Sequence, residues 1–298
     1  MAATRRLTRL VSDALTCLRL PEAPLIVALS GGADSAALAY LASQAGAKTS
    51  ALHVDHQLPG SAMMQKAAQD IAAQLELPIE IAVVSLPGGP SPEGRAREAR
   101  YRVFESSDLA LLTAHTRDDN AETILINLIR GAGPSGLTGI PEHRPPHIYR
   151  PMLAIGREAT REIAALAGLA FIDDPMNADV TLARNRIRRH LLPLLREMNP
   201  QVVESLARAA DTIGRDTAFL DALASPYGAG GSIPVSVLAT LPRPVADRVL
   251  VGLLESHEIG PTSDRVDRLW SVAKGESERQ ELAGGRSAAR RGPLLTIE

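Results

Sequence analysis

The chain has 298 residues, 45% of them apolar, and a formal net charge of −2 at pH 7. That length accommodates one large and one smaller domain with a sizeable buried core, and the near-neutral charge means that any nucleic-acid contact must come from local basic patches. Cys17 is the single cysteine, which excludes an internal disulfide, a Cys-rich zinc or iron–sulfur site, and a two-cysteine persulfide relay within the chain.

Residues 1–20 combine charges with an apolar stripe and lack the long apolar run of a signal peptide or membrane span. They read as a leading amphipathic helix of a cytoplasmic protein with no membrane partner. Leu25 to Leu29 is a short continuous apolar run, as expected of a strand covered on both faces of a parallel sheet. Ser30 to Ser35 form a Gly-rich turn and Ala36 to Gln44 a helix. Strand and helix then alternate: strands over 49–54, 79–84 and 109–114, helices over 62–75, 95–106 and 121–130. Four strand–helix repeats predict a doubly wound, mostly parallel α/β sheet with right-handed crossovers. Its ligands should bind where the strands end, after Leu29, Val54, Val84 and Ala114. Gly131 to Pro151 is rich in Gly and Pro and reads as a long loop, of the kind that in a compact domain is usually functional or mobile. Helices follow over 157–169 and 186–198. After Pro200 the pattern changes to helices over 202–224, 243–256 and 263–274, closed by short strands. The expected division is a catalytic domain over 1–200 and a smaller, mainly helical domain over 201–298.

The most informative string is Ser30-Gly31-Gly32-Ala33-Asp34-Ser35, placed between a buried strand and a helix. Glycines let the backbone approach an anion closely, and the first N–H groups of the helix point at it. Ser30 and Ser35 add hydroxyl donors. The Gly-Lys-Ser/Thr ending that grips a terminal phosphoryl group is absent. Asp34 is out of place in an anion cradle unless a cation is shared, and Mg²⁺ held against pyrophosphate is the cation that fits.

Other strings follow in order. His53-Val54-Asp55-His56 ends the second strand, and Ala96-Arg97-Glu98-Ala99-Arg100-Tyr101 lies on the third helix. Ala114-His115-Thr116-Arg117-Asp118-Asp119-Asn120-Ala121-Glu122-Thr123 joins the fourth strand to its helix. Asp173-Asp174-Pro175-Met176-Asn177 and Arg184-Asn185-Arg186-Ile187-Arg188 come later. The loop identifies the pyrophosphatase-loop ATP superfamily, and the ordered set closely resembles the tRNA(Ile)-lysidine synthetases over roughly residues 24–195. That resemblance implies an adenine nucleotide alpha hydrolase-like fold and an ATP-dependent ligase. In the implied reaction ATP adenylates the C2 oxygen of the wobble cytidine of tRNA(Ile) with a CAU anticodon. The ε-amine of free L-lysine then displaces AMP, giving lysidine.

Roles for the residues follow in the same terms. Ser30 to Ser35 are expected to hold the ATP phosphates, and Asp34 and Asp119 are the expected Mg²⁺ ligands. Asp119 and Glu122, three positions apart on one helix face, can take Mg²⁺ or the lysine ammonium. His115 or a carboxylate is the candidate base for that amine, and Asp118 competes as a helix cap. Arg97 is expected to contact phosphate or the adenylated base. Arg184, Arg186, Arg188, Arg189 and His190 form the densest basic cluster, suited to an RNA backbone. By resemblance Arg184 and Asn185 lie near the reacting base, and Arg188 binds substrate with Asn185. Asn120 stands where similar proteins usually carry Gln. The oligomeric state is not fixed by the sequence, which leaves a homodimer open.

Overall fold

A computed structural model describes residues 1–22, 24–85, 92–173, 183–227 and 231–298, the side chains of Pro92 and Glu93 excepted. Asp174 to Asn177 of the motif named above lie outside the described residues. The chain divides into two compact units, Met1–Asp211 and Thr212–Glu298. The boundary expected after residue 200 marks the start of helix α10 (Val202–Ala224), within which this division falls.

The first unit is built on strands β1 (Leu25–Ala28), β2 (Thr49–Asp55), β3 (Ile79–Val83), β4 (Ala110–Leu112), β5 (His143–Arg144) and β6 (Ile148–Tyr149), in the order β3-β2-β1-β4-β6-β5. All neighbours are parallel except the β5–β6 hairpin at the edge. Leu25 and Val27 enter one core with helices α1 (Ala2–Cys17), α2 (Ala33–Gln44), α3 (Ser61–Gln74) and α7 (Arg157–Leu166). Ile26 and Ala28 face the other side, where Tyr101 and Phe104 of α4 (Pro92–Glu105) pack on Leu52, Leu111 and Ile148. This two-sided burial is why β1 is apolar at every position. Helix α2 is enclosed on nearly all sides, and Ala36, Ala37, Ala39 and Ala42 are fully buried. Small side chains there allow close approach to the sheet and to α7.

The strand order reverses between β1 and β4, which opens a crevice at their carboxyl ends. Two helices begin there: α2 after β1, and α5 (Arg117–Ile129) after β4. Both start earlier than the apolar pattern predicts. Gly32 and Thr116 are the caps, so residues expected in loops form the first helical turns. The long loop over 131–151 contains a helical turn, α6 (Pro134–Leu137), and the β5–β6 hairpin. Strands of two residues are too short to show a period. Helix α8 (Ala183–Arg186) continues through a π-helical turn, Ile187–Leu191, into α9 (Leu192–Met198).

The second unit holds α11 (Val235–Thr240), α12 (Arg243–Ser256) and α13 (Ser263–Lys274) with β7 (Ser232–Pro234), β8 (Arg279–Glu281), β9 (Ser287–Arg291) and β10 (Leu294–Ile297). The strands form an antiparallel sheet in the order β7-β10-β9-β8. Its core is aliphatic: Leu250, Leu253, Leu254, Leu269, Val272, Ala288 and Leu295. Among the described residues no helix is long and apolar enough to cross a membrane.

Candidate active site

The phosphate loop is held by its own hydroxyls. Ser30 N–H donates to Ser35 Oγ at 3.1 Å, Ser35 Oγ donates to Gly32 O at 2.9 Å, and the two hydroxyls lie 3.0 Å apart. Gly31 has φ +90°, and a Cβ there would sit 2.4 Å from the backbone oxygen of Met64 in α3. Only glycine fits both the conformation and the space. The backbone N–H groups of Ala33, Asp34 and Ser35 lie in the first turn of α2 and have no intrahelical acceptor.

Asp34 leans toward α7. It accepts a hydrogen bond from Thr160 Oγ1, and its Oδ2 lies 3.7 Å from Arg157 Nε. Burial pushes its carboxyl above the ordinary carboxylate range, against the opposing pull of Thr160 and Arg157.

The start of α5 carries the second acidic group. Thr116 and Asp119 form a capping box: Thr116 N–H and Oγ1 donate to Asp119 Oδ2 at 2.9 and 2.7 Å, and Asp119 N–H donates to Thr116 Oγ1 at 3.4 Å. The other carboxylate oxygen of Asp119 faces Arg157 Nη2 at 2.7 Å and Arg188 Nη2 at 3.3 Å. Burial alone would push the Asp119 carboxyl up, but Arg157 leads the opposing groups, which hold it at about 2.

Glu122, one turn later, is 0% exposed and meets three guanidinium groups. Arg157 Nη1 donates to Oε1 at 2.9 Å, Arg188 donates through Nε and Nη2 at 2.7 and 3.0 Å, and Arg184 Nε pairs at 3.2 Å without hydrogen-bond geometry. Glu122 thus sits behind the cavity wall and fixes the arginines in front of it. Asp118 accepts from Arg157 N–H at 2.8 Å and Arg196 Nη2 at 2.7 Å, tying α5 to α7 and α9.

These groups open on a cavity of about 470 Å³ bounded by the phosphate loop, the ends of β2 and β4, and α4. Of the residues expected to act, Ser30, Gly32, Ala33, Asp34, Ser35, Arg97, His115, Asp119, Arg184, Asn185 and Arg188 line it, while Glu122 and Gly31 do not. His115 Nδ1 lies 3.0 Å from Thr113 Oγ1. Burial, reinforced by Arg150, Arg184 and Arg97, pushes its imidazole down to about 3 despite Asp119. It is neutral at pH 7 and a weak base. On the opposite wall, Arg97 stacks over Tyr101 at 5.0 Å, and Arg150 Nη2 donates to the Tyr101 hydroxyl at 3.2 Å. Burial alone would raise the Tyr101 phenol, but Arg150, Arg97 and Arg144 outweigh it and pull it below its ordinary value. His53 Nδ1 binds Leu29 O at 2.8 Å, linking β2 to the end of β1. His56 is pushed down to about 4, by burial and then by Arg100.

In the basic cluster Arg184 and Arg188 turn inward, Asn185 and Ile187 are buried, and Arg186, Arg189 and His190 are exposed. The π-helical turn lies within this segment, a distortion often found at functional sites. Arg157 and Thr160 are site residues that the motif strings did not single out. A signal existed for Arg157. A cation at the first position of a helix opposes the helix dipole, so it needs carboxylate partners. Asn120 Oδ1 accepts from Ile140 N–H at 2.7 Å and packs on Gly139, pinning the loop that follows α5.

A buried strand, a glycine-rich loop without the γ-phosphate lysine, and an acidic helix start beside it are the features of a PP-loop domain, and the PP-loop domain family model matches residues 1–195. Relatives extend the likeness over most of the chain. The tRNA(Ile)-lysidine synthase of Salinispora tropica is 43% identical over 255 residues, 78% of this chain and 77% of that one. That of Salinispora arenicola is 40% identical, covering 100% of this chain and 96% of its own. That of Thermus thermophilus is 36% identical over 94% of this chain and 58% of its own. The chain belongs to the tRNA(Ile)-lysidine synthase family, and it is an enzyme of the ligase class. Among solved structures, the U34-tRNA thiolase NcsA from Methanococcus maripaludis superposes with a TM-score of 0.55 at 19% identity, over 71% of this chain and 78% of that one. That is a likeness of fold.

Proposed function

We propose that this enzyme adenylates the C2 oxygen of the wobble cytidine of a CAU-anticodon tRNA(Ile) with ATP and then joins the ε-amine of free L-lysine to the C2 carbon. In the first step the C2 oxygen attacks the α-phosphorus, and the bond to the β-phosphate oxygen breaks, releasing pyrophosphate. In the second the amine attacks C2, AMP leaves with the oxygen, and the amine loses its protons to solvent or buffer. The observation that carries this reading is the convergence of the Ser30–Ser35 loop, Asp119, Arg97, Arg184 and Arg188 on one cavity.

The loop amides and the Ser30 and Ser35 hydroxyls bind the departing pyrophosphate. Asp34 fits a Mg²⁺ ligand, because among the described residues the nearest cation to its Oδ2 is Arg157 Nε at 3.7 Å and because Mg²⁺ uses one or two carboxylates with phosphate oxygens. Asp119 fits less well while its oxygens are taken by Thr116, Arg157 and Arg188. Among the described residues no group of three or more His, Cys, Asp or Glu is arranged to hold a metal alone, so phosphate oxygens complete the set. When bound, Mg²⁺ neutralises charge developing on the pyrophosphate.

Arg97, Arg184 and Arg188 stabilise the negative charge of the adenylated base, and Asn185, buried yet lining the cavity, binds the base beside them. Asp119 orients the lysine ammonium. His115, neutral at pH 7, lends a polar contact to the reacting base, since a base this weak removes an ammonium proton poorly. The exposed Arg186 and Arg189 meet the tRNA backbone, with further help from the second unit. Free lysine, ATP and tRNA meet in the cytoplasm, which we take as the compartment. Every residue invoked comes from one chain, so the reading does not require a homodimer.

The test incubates the full chain with ATP, Mg²⁺, radiolabelled lysine and tRNA(Ile) bearing CAU, with tRNA(Met) species as controls. Label in tRNA(Ile) alone, lost in Asp34→Ala, is the expected result. Pyrophosphate release without lysine transfer would keep the adenylating step and overturn the choice of nucleophile. Absence of both from folded protein would overturn the reading.

A further inference from the structure

Arg157 occupies the first position of α7, where the helix dipole disfavours a cation. Its guanidinium is spread over three carboxylates: Asp119 at 2.7 Å, Glu122 at 2.9 Å and Asp34 at 3.7 Å. The three anions depend on it unequally. Glu122 also has Arg184 and Arg188, and Asp119 also has Arg188 and the Thr116 donors. Among the described residues, Arg157 is the one cation in ion-pair contact with Asp34. It lines the cavity beside the phosphate loop with 18% of its side chain exposed. A guanidinium lying between Asp34 and Asp119 is a single positive charge in the place where a divalent cation would have to work.

Resting on the reading of the site as an ATP site, we propose that Arg157 is a positioning residue that exchanges partners. Without nucleotide it neutralises Asp34 and Asp119 and keeps cations out. When the ATP phosphates enter, the guanidinium turns to them, because a phosphate offers bidentate oxygens with a higher charge than a carboxylate. Asp34 is thereby released to the metal. Metal and nucleotide then bind with positive coupling, each raising the affinity for the other by the same factor. The arrangement protects the phosphate loop from a metal ion bound without substrate.

Mn²⁺ binding to the nucleotide-free full chain, followed by loss of the free-ion paramagnetic resonance signal, tests this. Wild type and Arg157→Lys, which keeps the charge, should leave the signal nearly intact. Arg157→Gln should bind Mn²⁺ at least tenfold more tightly, and adding Asp34→Asn to it should abolish the gain. The proposal is overturned if Arg157→Gln binds no better than wild type, or if Asp34→Asn leaves the gain in place. Wild type gives a second test that needs no variant. Millimolar Mg²⁺ alone should leave its melting temperature unchanged, while Mg²⁺ with the α,β-methylene analogue of ATP should raise it. A rise with Mg²⁺ alone overturns the exchange, whereas no rise with Mg²⁺ and the analogue together overturns the ATP site itself.

Discussion

Replacing Gly31 by Ala isolates what the phosphate loop demands of its backbone. Gly31 has φ +90°, and the new Cβ would lie 2.4 Å from Met64 O, 3.2 Å from Met64 C and 3.3 Å from Ala67 Cβ. The nearest of these is helix backbone, so the loop or α3 must move. An L-residue in this conformation costs about 1–2 kcal/mol, and forcing a methyl into packed structure costs about 1–3 kcal/mol more. Lower entropy of the unfolded chain offsets about 0.4–1 kcal/mol, leaving a net loss of roughly 2–4 kcal/mol. The movement also strains the hydrogen bond from Ile172 N–H to Gly31 O, which is 3.0 Å long. Gly46→Ala is the matched control. It has φ +72° with nothing within 4 Å of the added carbon, so only the backbone cost applies, about 1 kcal/mol after the same offset. Urea denaturation followed by circular dichroism, with calorimetric titration of α,β-methylene ATP, measures both variants. Gly31→Ala should be the less stable by about 1–3 kcal/mol and should bind nucleotide weakly. Equal stability of the two variants, with normal nucleotide binding in Gly31→Ala, would refute the steric argument.

Glu122→Gln should destabilise the chain by about 3–5 kcal/mol, because three guanidinium groups lose a fully buried counter-charge. A thermal melt reads this, and an unchanged melting temperature would show that Glu122 does not hold the arginines. Lysine transfer should fall with it, since Arg184 and Arg188 lose their anchor. Acid should destabilise the fold in two windows. His115, lowered to about 3, and His56, lowered to about 4, stay neutral in the folded chain while the unfolded chain takes up protons below about 6.5. Their contribution is complete above that pH and is lost progressively below it. Asp119, held at about 2, adds stability above the unfolded value of about 3.9 that is lost as the pH falls through 2. Melting temperatures across pH 3–7 should flatten between pH 6.5 and 4 in a His56→Gln/His115→Gln double variant; an unaltered slope would refute the assignment.

Much of the fold was readable where its causes are local. The apolar run at Leu25, the glycine pair and the following helix signal occupy adjacent positions, and burial of β1 on both faces agrees with a run lacking polar alternation. The helices start a few residues ahead of their apolar spacing, since that spacing marks only the buried part of a helix and the caps Gly32 and Thr116 lie ahead of it. Strand β6 escaped because its pairing, Leu111 with Ile148 and Leu112 with Tyr149, is non-local and only two residues long.

The phosphate loop, the alternating α/β order and the ordered strings that carry the family resemblance are all legible in the chain, because each depends on residue type over a short span. How the charges pair depends instead on the packing of distant segments. Arg157 reaches Asp119 across 38 positions and Glu122 across 35, and Thr160 reaches Asp34 across 126. The same packing separates Asp119, on the cavity wall, from Glu122, sealed behind it, although both lie on one face of α5. Charge-assisted hydrogen bonds need heavy-atom distances of about 2.7–3.2 Å, and those distances are set by how α5, α7 and the π-helical turn cross, a quantity no single segment encodes.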